Sequence, residues 1–231
     1  MTMNFKAAIF DLDGTLLDSI GGLSCAMNDT LAAYGFPTFP LPYHKSAVGN
    51  GVRAYAEKCI PQDKNSPEFL DEFVAAMGER YDKSCTNNTA PFDGILPLLD
   101  YMREKNIALN VLSNKVDSFA KTMIDYYFKD YGFQNVMGER PGVPKKPAPD
   151  AALAIAKKCG VDPDEVIFIG DSIYDVMTGK NAGMFSAAAC WGYQSEEQLS
   201  EKKPDFMAHS PFDIINFLSG KKSCKYLEDR S

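Results

Sequence analysis

The stretch AAIFDLDGT, residues 7–15, decides the fold class. Four apolar residues, Ala7 to Phe10, follow Lys6 and stop at Asp11. A run that short favours a buried strand over a helix. Two carboxylates, Asp11 and Asp13, then stand at the strand's C-terminal end, where open α/β sheets take their ligands. Alternation puts them on the same side of the chain. Like charges this close need a proton or a cation. A hard divalent ion such as Mg²⁺ suits carboxylate oxygens and also bridges phosphate. Gly14 permits a tight turn. Taken alone, the stretch can also be read, though less readily, as an acidic strand end followed by a turn.

Three later apolar runs resemble the first: Ile107 to Leu112, Val166 to Ile169 and Phe185 to Cys190. Helical periodicities lie between them. Ile95, Leu98, Leu99 and Met102 form one face. Phe119, Met123, Tyr126 and Tyr127 form a second. Ala151, Ala152, Ile155 and Ala156 form a third, which stops at Gly160. Strands alternating with helices predict βαβ units: a Rossmann-like α/β core, its parallel sheet covered by helices on both faces.

The stretch from about Leu17 to Asn88 has helical periodicity and little strand signal. Leu23, Met27, Leu31 and Tyr34 share a face that ends at Gly35. FPTFPLP (36–42) is a connector. Val52, Tyr55, Ala56 and Cys59 follow, and Ser66-Pro67 opens a helix with Phe69, Phe73, Met77 and Tyr81 inward. The expected organisation is therefore an α/β core over 1–16 and 89–219, a helical insert over 17–88, and a charged, solvated tail over 220–231.

Three further pieces sit near predicted strand ends. Ser113-Asn114-Lys115 offers a hydroxyl and backbone N–H groups to phosphate oxygens, although it would serve equally as a helix cap. Lys145-Lys146-Pro147-Ala148-Pro149-Asp150 brings positive charge. Gly170-Asp171-Ser172 follows the strand Val166 to Ile169, and Asp175 lies four residues beyond Asp171, on one face of a helical start. Each has a purely structural reading. Their joint occurrence, in this order, outweighs those readings.

These residues resemble the haloacid dehalogenase superfamily of phosphohydrolases. FDLDGTLLDS (10–19) is similar to that family's first motif, Ser113 with Asn114-Lys115 to its second, Lys146 before Pro147 to its third, and GDSIYD (170–175) to its fourth. The insert resembles its helical cap. VGNGVRAYAEKCI (48–60), SNK, KKPAPD and WGYQSEEQL (191–199) look most like the phosphoglycolate phosphatase group. The resemblance implies a Mg²⁺-dependent phosphomonoester hydrolase acting on a small phosphorylated metabolite such as 2-phosphoglycolate. Asp11 would be the nucleophile, forming an aspartyl-phosphate, and Asp13 the general acid and base. Asp11, the Asp13 backbone carbonyl and Asp171 would hold the metal. Ser113, Asn114 and Lys146 would bind phosphate, and Asp175 would orient Lys146 or metal-bound waters. The Gly49-Asn50-Gly51 turn with Arg53 is the expected specificity loop, Arg53 pairing with a substrate carboxylate. A sugar-phosphate mutase of the same fold and a non-catalytic regulator are the alternatives. A dehalogenase would have no use for Asp13.

The bulk numbers agree with a small-molecule enzyme. The chain has 231 residues, 45% of them hydrophobic and 24% charged, which suits a soluble globular protein. A net charge of −7 would be repelled by nucleic acid, which is not expected as a partner. The six cysteines form no C-x-x-C pair and there are two histidines, His44 and His209, so no zinc site is expected. No secretory signal and no apolar run of membrane-spanning length is present, which makes a cytoplasmic location without membrane contact the default expectation.

Overall fold

A computed structural model of the chain describes residues 4–220. Eight strands occur among them: β1 (Ala7–Phe10), β2 (Leu17–Asp18), β3 (Ala90–Pro91), β4 (Ala108–Val116), β5 (Asn135–Glu139), β6 (Val166–Gly170), β7 (Phe185–Ala189) and β8 (Phe206–Ala208). Six form one parallel sheet in the order β5-β4-β1-β6-β7-β8. The short apolar run is thus the sheet's centre. Ala8 and Phe10 face one layer with Leu98, Leu109 and Ile214, while Ala7 and Ile9 face the other with Ile155 and Phe168. Two covered faces explain why the run has no polar alternation.

Helices α5 (Ile95–Glu104), α6 (Asp117–Phe128), α7 (Asp150–Cys159), α8 (Ile173–Asn181), α9 (Glu196–Glu201) and α10 (Pro211–Leu218) accompany the sheet. Before them come α1 (Ile20–Ala33), α2 (Leu41–Ala47), α3 (Gly51–Cys59) and α4 (Pro67–Asp82). The chain leaves β1 for β4 on one side and later crosses to β6 on the other. That reversal opens a crevice at the C-terminal edge of β1, where Asp11 stands.

α1–α4 have an apolar core of their own, including Met27, Leu31, Tyr55, Phe73, Met77 and Tyr81. Ser66 caps α4 by accepting from the Phe69 N–H (3.2 Å), with Pro67 at the first helical position. Asn28 pins the connector by bonding both backbone groups of Phe39 (2.9 and 3.0 Å). This helical unit hangs from the antiparallel pair β2–β3, Leu17 opposite Pro91 and Asp18 opposite Ala90.

Several expectations need correction. β5 and β8 were not legible as strands: the first is half-buried and carries Gly138, the second has three residues. α6 buries Ala120, Met123, Ile124 and Phe128 rather than the aromatic face, and Tyr126 is 67% exposed. Ser113-Asn114-Lys115 does not follow a strand but lies in the irregular end of β4, whose register shifts between Leu112 and Val116. Gly138 makes room for this: a Cβ there would lie 2.5 Å from the Lys115 carbonyl oxygen. The expected tail lies, beyond Gly220, outside the described residues.

Candidate active site

Asp11 continues the ladder of β1 by donating its N–H to the Ile169 carbonyl (2.9 Å). Its side chain is buried, and Lys146 Nζ stands 2.9 Å from its Oδ1. The same ammonium is 2.5 Å from Asp175 Oδ1. Asn114 places Lys146: its Oδ1 accepts the Lys146 N–H (3.0 Å) and its Nδ2 donates to the Lys146 carbonyl (3.4 Å). Asp175 is fixed by the start of α8, where Ser172 N–H and Oγ donate to its Oδ2 (3.0 and 2.5 Å). Lys145, the neighbouring candidate, pairs with Glu139 instead (3.0 Å).

Asp171 accepts from Thr15 Oγ1 (2.9 Å) and from the Tyr193 N–H (2.8 Å). Two glycines wrap it. A Cβ on Gly14 would lie 2.2 Å from its Oδ2, and one on Gly192 would lie 2.1 Å from its Cβ. Gly14 also has φ +86°, which favours glycine.

Oxygens of Asp11, Asp171 and Asp175 all lie within 4.8 Å of one another. Burial, then the charge of Asp175, push the Asp11 carboxyl up to about 6, against the pull of Lys146. Burial with Asp11 and Asp175 lifts Asp171 well above the usual carboxylate range. Burial works against the charge of Lys146, yet Asp11 and Asp175 outweigh it and hold the ammonium above its ordinary value. Three buried carboxylates thus stand together, and the one lysine among them pairs with only two, Asp11 and Asp175. An all-oxygen donor set with surplus negative charge fits a hard divalent cation.

Asp13 has a different neighbourhood. Ser19 Oγ donates to its Oδ1 (2.5 Å), and Lys115 Nζ lies 3.1 Å from each carboxylate oxygen. Lys115 also donates to Tyr81 OH of α4 (2.8 Å). These contacts give Lys115, Ser19, Thr15 and Tyr81 places around the acids that their positions in the sequence did not announce: the first three stand inside the family-like motifs, and Tyr81 lies on the inward face of α4. Trp191 and Tyr193 are anchors: Trp191 Nε1 donates to the Thr15 carbonyl (3.0 Å), and Tyr193 OH accepts the Ser19 and Ile20 N–H groups (2.9 and 3.0 Å).

A cavity of about 910 Å³, part of it open to solvent, lies between the sheet edge and the helical unit. Asp11, Asp13, Ser113, Asn114 and Asp171 line it from below, and Gly49 and Gly51 from above. Lys146 and Asp175 stand behind Asp11. Of the expected specificity loop, Gly49 and Gly51 line the cavity, whereas Asn50 and Arg53 do not. Arg53 is drawn away by Asp71 and Glu57 and donates to the Pro67 carbonyl (3.2 Å), with 39% of its side chain exposed. His44 is buried inside the helical unit, far from any catalytic use.

The description of haloacid dehalogenase-like hydrolases matches residues 8–189. The chain belongs to that family. A phosphoglycolate phosphatase from Aquifex aeolicus is 30% identical over 92% of this chain and 96% of its own length. An N-acetylmuramic acid 6-phosphate phosphatase from Pseudomonas aeruginosa is 29% identical over 94% and 96%. A haloacid dehalogenase-like family hydrolase from Streptococcus pneumoniae shares the fold at a TM-score of 0.83, with 24% identity over 93% of this chain and 98% of its own. This haloacid dehalogenase-like hydrolase is a phosphatase. Among the described residues no helix is long and apolar enough to cross a membrane, and Cys25, Cys59, Cys85, Cys159 and Cys190 are free thiols.

Proposed function

We propose that the chain hydrolyses phosphate monoesters of small metabolites, 2-phosphoglycolate among them, with Mg²⁺ and through an aspartyl-phosphate on Asp11. The observation that carries this reading is a cavity-facing Asp11 carboxylate 2.9 Å from the Lys146 ammonium, beside two further buried acids.

An Asp11 oxygen attacks phosphorus, and the ester P–O bond breaks. The leaving oxygen takes a proton from Asp13, giving the free alcohol. Asp13, now a carboxylate, takes a proton from water as that water attacks the phosphorus. The bond to Asp11 breaks, releasing inorganic phosphate and restoring both acids. Ser113 Oγ and the Lys146 ammonium hold the transferring oxygens, while Asn114 acts through the Lys146 backbone. Asp175 keeps Lys146 aimed at Asp11. Asp11, Asp171 and the backbone carbonyl of Asp13 would hold Mg²⁺, since the Asp13 carboxylate is engaged elsewhere. When bound, the ion supplies charge neutralisation for the approach of one anion to another.

The helical unit of residues 17–88 acts as a cap that excludes water, hinged at β2–β3. Free thiols suit a reducing, cytoplasmic compartment. The test is hydrolysis of p-nitrophenyl phosphate with Mg²⁺ and with chelator, together with acid-quench trapping of phosphate on the protein. Turnover that needs the ion, and label lost in Asp11→Asn, is expected. Full activity in chelator would refute the metal role.

A further inference from the structure

Lys115 is the one charged wall of the cavity that these steps leave unused. Among the described residues lining that cavity it is the only lysine or arginine. Its side chain is 5% exposed. Both oxygens of Asp13 grip the ammonium at 3.1 Å, and Tyr81, from the opposite wall, takes it at 2.8 Å. The ammonium also lies over the Tyr81 ring, 4.5 Å from its centroid. The facing wall is largely apolar, with Leu23, Val52, Val74 and Met77.

This arrangement contains a conflict. Asp13 must reach the ester oxygen, yet the lysine holds both of its carboxylate oxygens. Pulling Asp13 away would leave a buried ammonium without a counter-charge, which is costly. An anion arriving with the substrate removes that cost, because one anion replaces another. An ester without such a group has nothing to offer in exchange.

We propose that Lys115 is the specificity-determining residue of the site: it binds a second anionic group, carboxylate or phosphate, on the leaving portion of the substrate and thereby releases Asp13, which takes up a proton from water and carries it to the ester oxygen. This rests on the phosphatase reading above. Tyr81 keeps the ammonium at the seam while the anions exchange. Discrimination then comes from the buried group that would otherwise be left unpaired.

The test uses three two-carbon phosphate esters whose far end is a carboxylate (2-phosphoglycolate), a second phosphate (1,2-ethanediol bisphosphate) or a hydroxyl (2-hydroxyethyl phosphate). kcat/KM is measured for the parent, Lys115→Met and Lys115→Arg, with thermal unfolding as a check on folding. The parent should favour an anionic ester over the hydroxyl ester by about a hundredfold, the order expected for a desolvated charge contact. Which anionic ester wins identifies the carboxylate or the phosphate as the group read. The ratio should collapse toward unity in Lys115→Met and survive in part in Lys115→Arg. A parent without preference, or an unchanged ratio in folded Lys115→Met, would overturn the assignment. If Lys115→Met does not fold, Lys115→Gln and the parent's own preference decide in the same way. p-Nitrophenyl phosphate separates the two readings. No turnover by the parent removes the phosphatase reading and this one with it, whereas turnover with an unmoved ratio removes only the role of Lys115.

Discussion

Asp11 and Asp13 stand two residues apart and live in different places. Asp11 belongs to a group made wholly by the α/β core: Lys146 in the loop before α7, Asp171 just past β6 and Asp175 in the first turn of α8, each buried. Asp13 belongs to the seam, where Lys115 of β4 holds its carboxylate and is itself held by Tyr81 of α4. The core group takes its partners from the α/β core alone. The seam group also draws on the helical unit. A single turn at Gly14 thus separates a charge cluster made by one unit from one shared between two.

The contrast is sharpest in turnover. Asp11→Asn removes the nucleophile at constant volume, so kcat should fall by roughly 10⁴-fold or more. Asp13→Asn removes proton transfer together with the counter-charge of Lys115, and should cost roughly 10²–10⁴-fold on alkyl esters. Its loss should be much smaller on p-nitrophenyl phosphate, whose phenolate leaves without a proton. Steady-state kinetics on both substrates check this. Equal losses for Asp13→Asn on alkyl and aryl esters would erase the difference in role between the two acids.

Stability should separate the two groups as well. Lys146→Met leaves Asp11 and Asp175 buried without their shared cation, and about 3–5 kcal/mol should be lost, as when one partner of a buried pair is removed. Lys115→Met strands only Asp13, whose side chain is 18% exposed and can turn to water. Its loss should be the smaller. Denaturant unfolding measures both. A greater loss for Lys115→Met would mean that the seam, not the core cluster, holds the molecule together at this edge.

The same contrast explains what could be read from the sequence. Ala7–Phe10, Val166–Ile169 and Phe185–Ala189 are buried in the sheet, so their apolar runs announced strands, and the acids just beyond the first two were legible from their joint position at strand ends. β5 carries NVMGE on a half-buried edge and gave no such signal. Lys115 was visible as the third residue of SNK, but its meaning lies in Asp13 and Tyr81, which are 102 and 34 residues away. Arg53 misled for the converse reason. Its spacing from Gly51 pointed toward a substrate, yet Asp71, on the next long helix, captures the guanidinium. Short-range pattern locates residues at strand ends. It does not tell which long side chain a neighbouring helix will claim.

The smallest effect should come from inside the helical unit, and it tests whether that unit carries its own polar lock. His44 is buried, with Nε2–H donating to the Phe39 carbonyl (3.1 Å) and Nδ1 accepting from Tyr55 OH (2.5 Å). Both ring nitrogens are satisfied only when the imidazole is neutral. Burial lowers its pKa below the ordinary 6.5, while the bond to Phe39 pulls weakly the other way. The unfolded chain therefore binds a proton more readily than the folded one. Stability from His44 is complete above 6.5 and is lost as pH falls below it. Protonation forfeits the Tyr55 hydrogen bond, worth about 1 kcal/mol. Asp11, raised to about 6, acts with the opposite sign, because its folded carboxyl takes up protons first and gains stability as pH falls. Comparing the parent with His44→Gln cancels that contribution. The parent should lose more unfolding free energy than the variant between about pH 7.5 and about pH 5.5. Superimposable pH profiles would mean that the His44–Tyr55 pair does not couple the helical unit to protons.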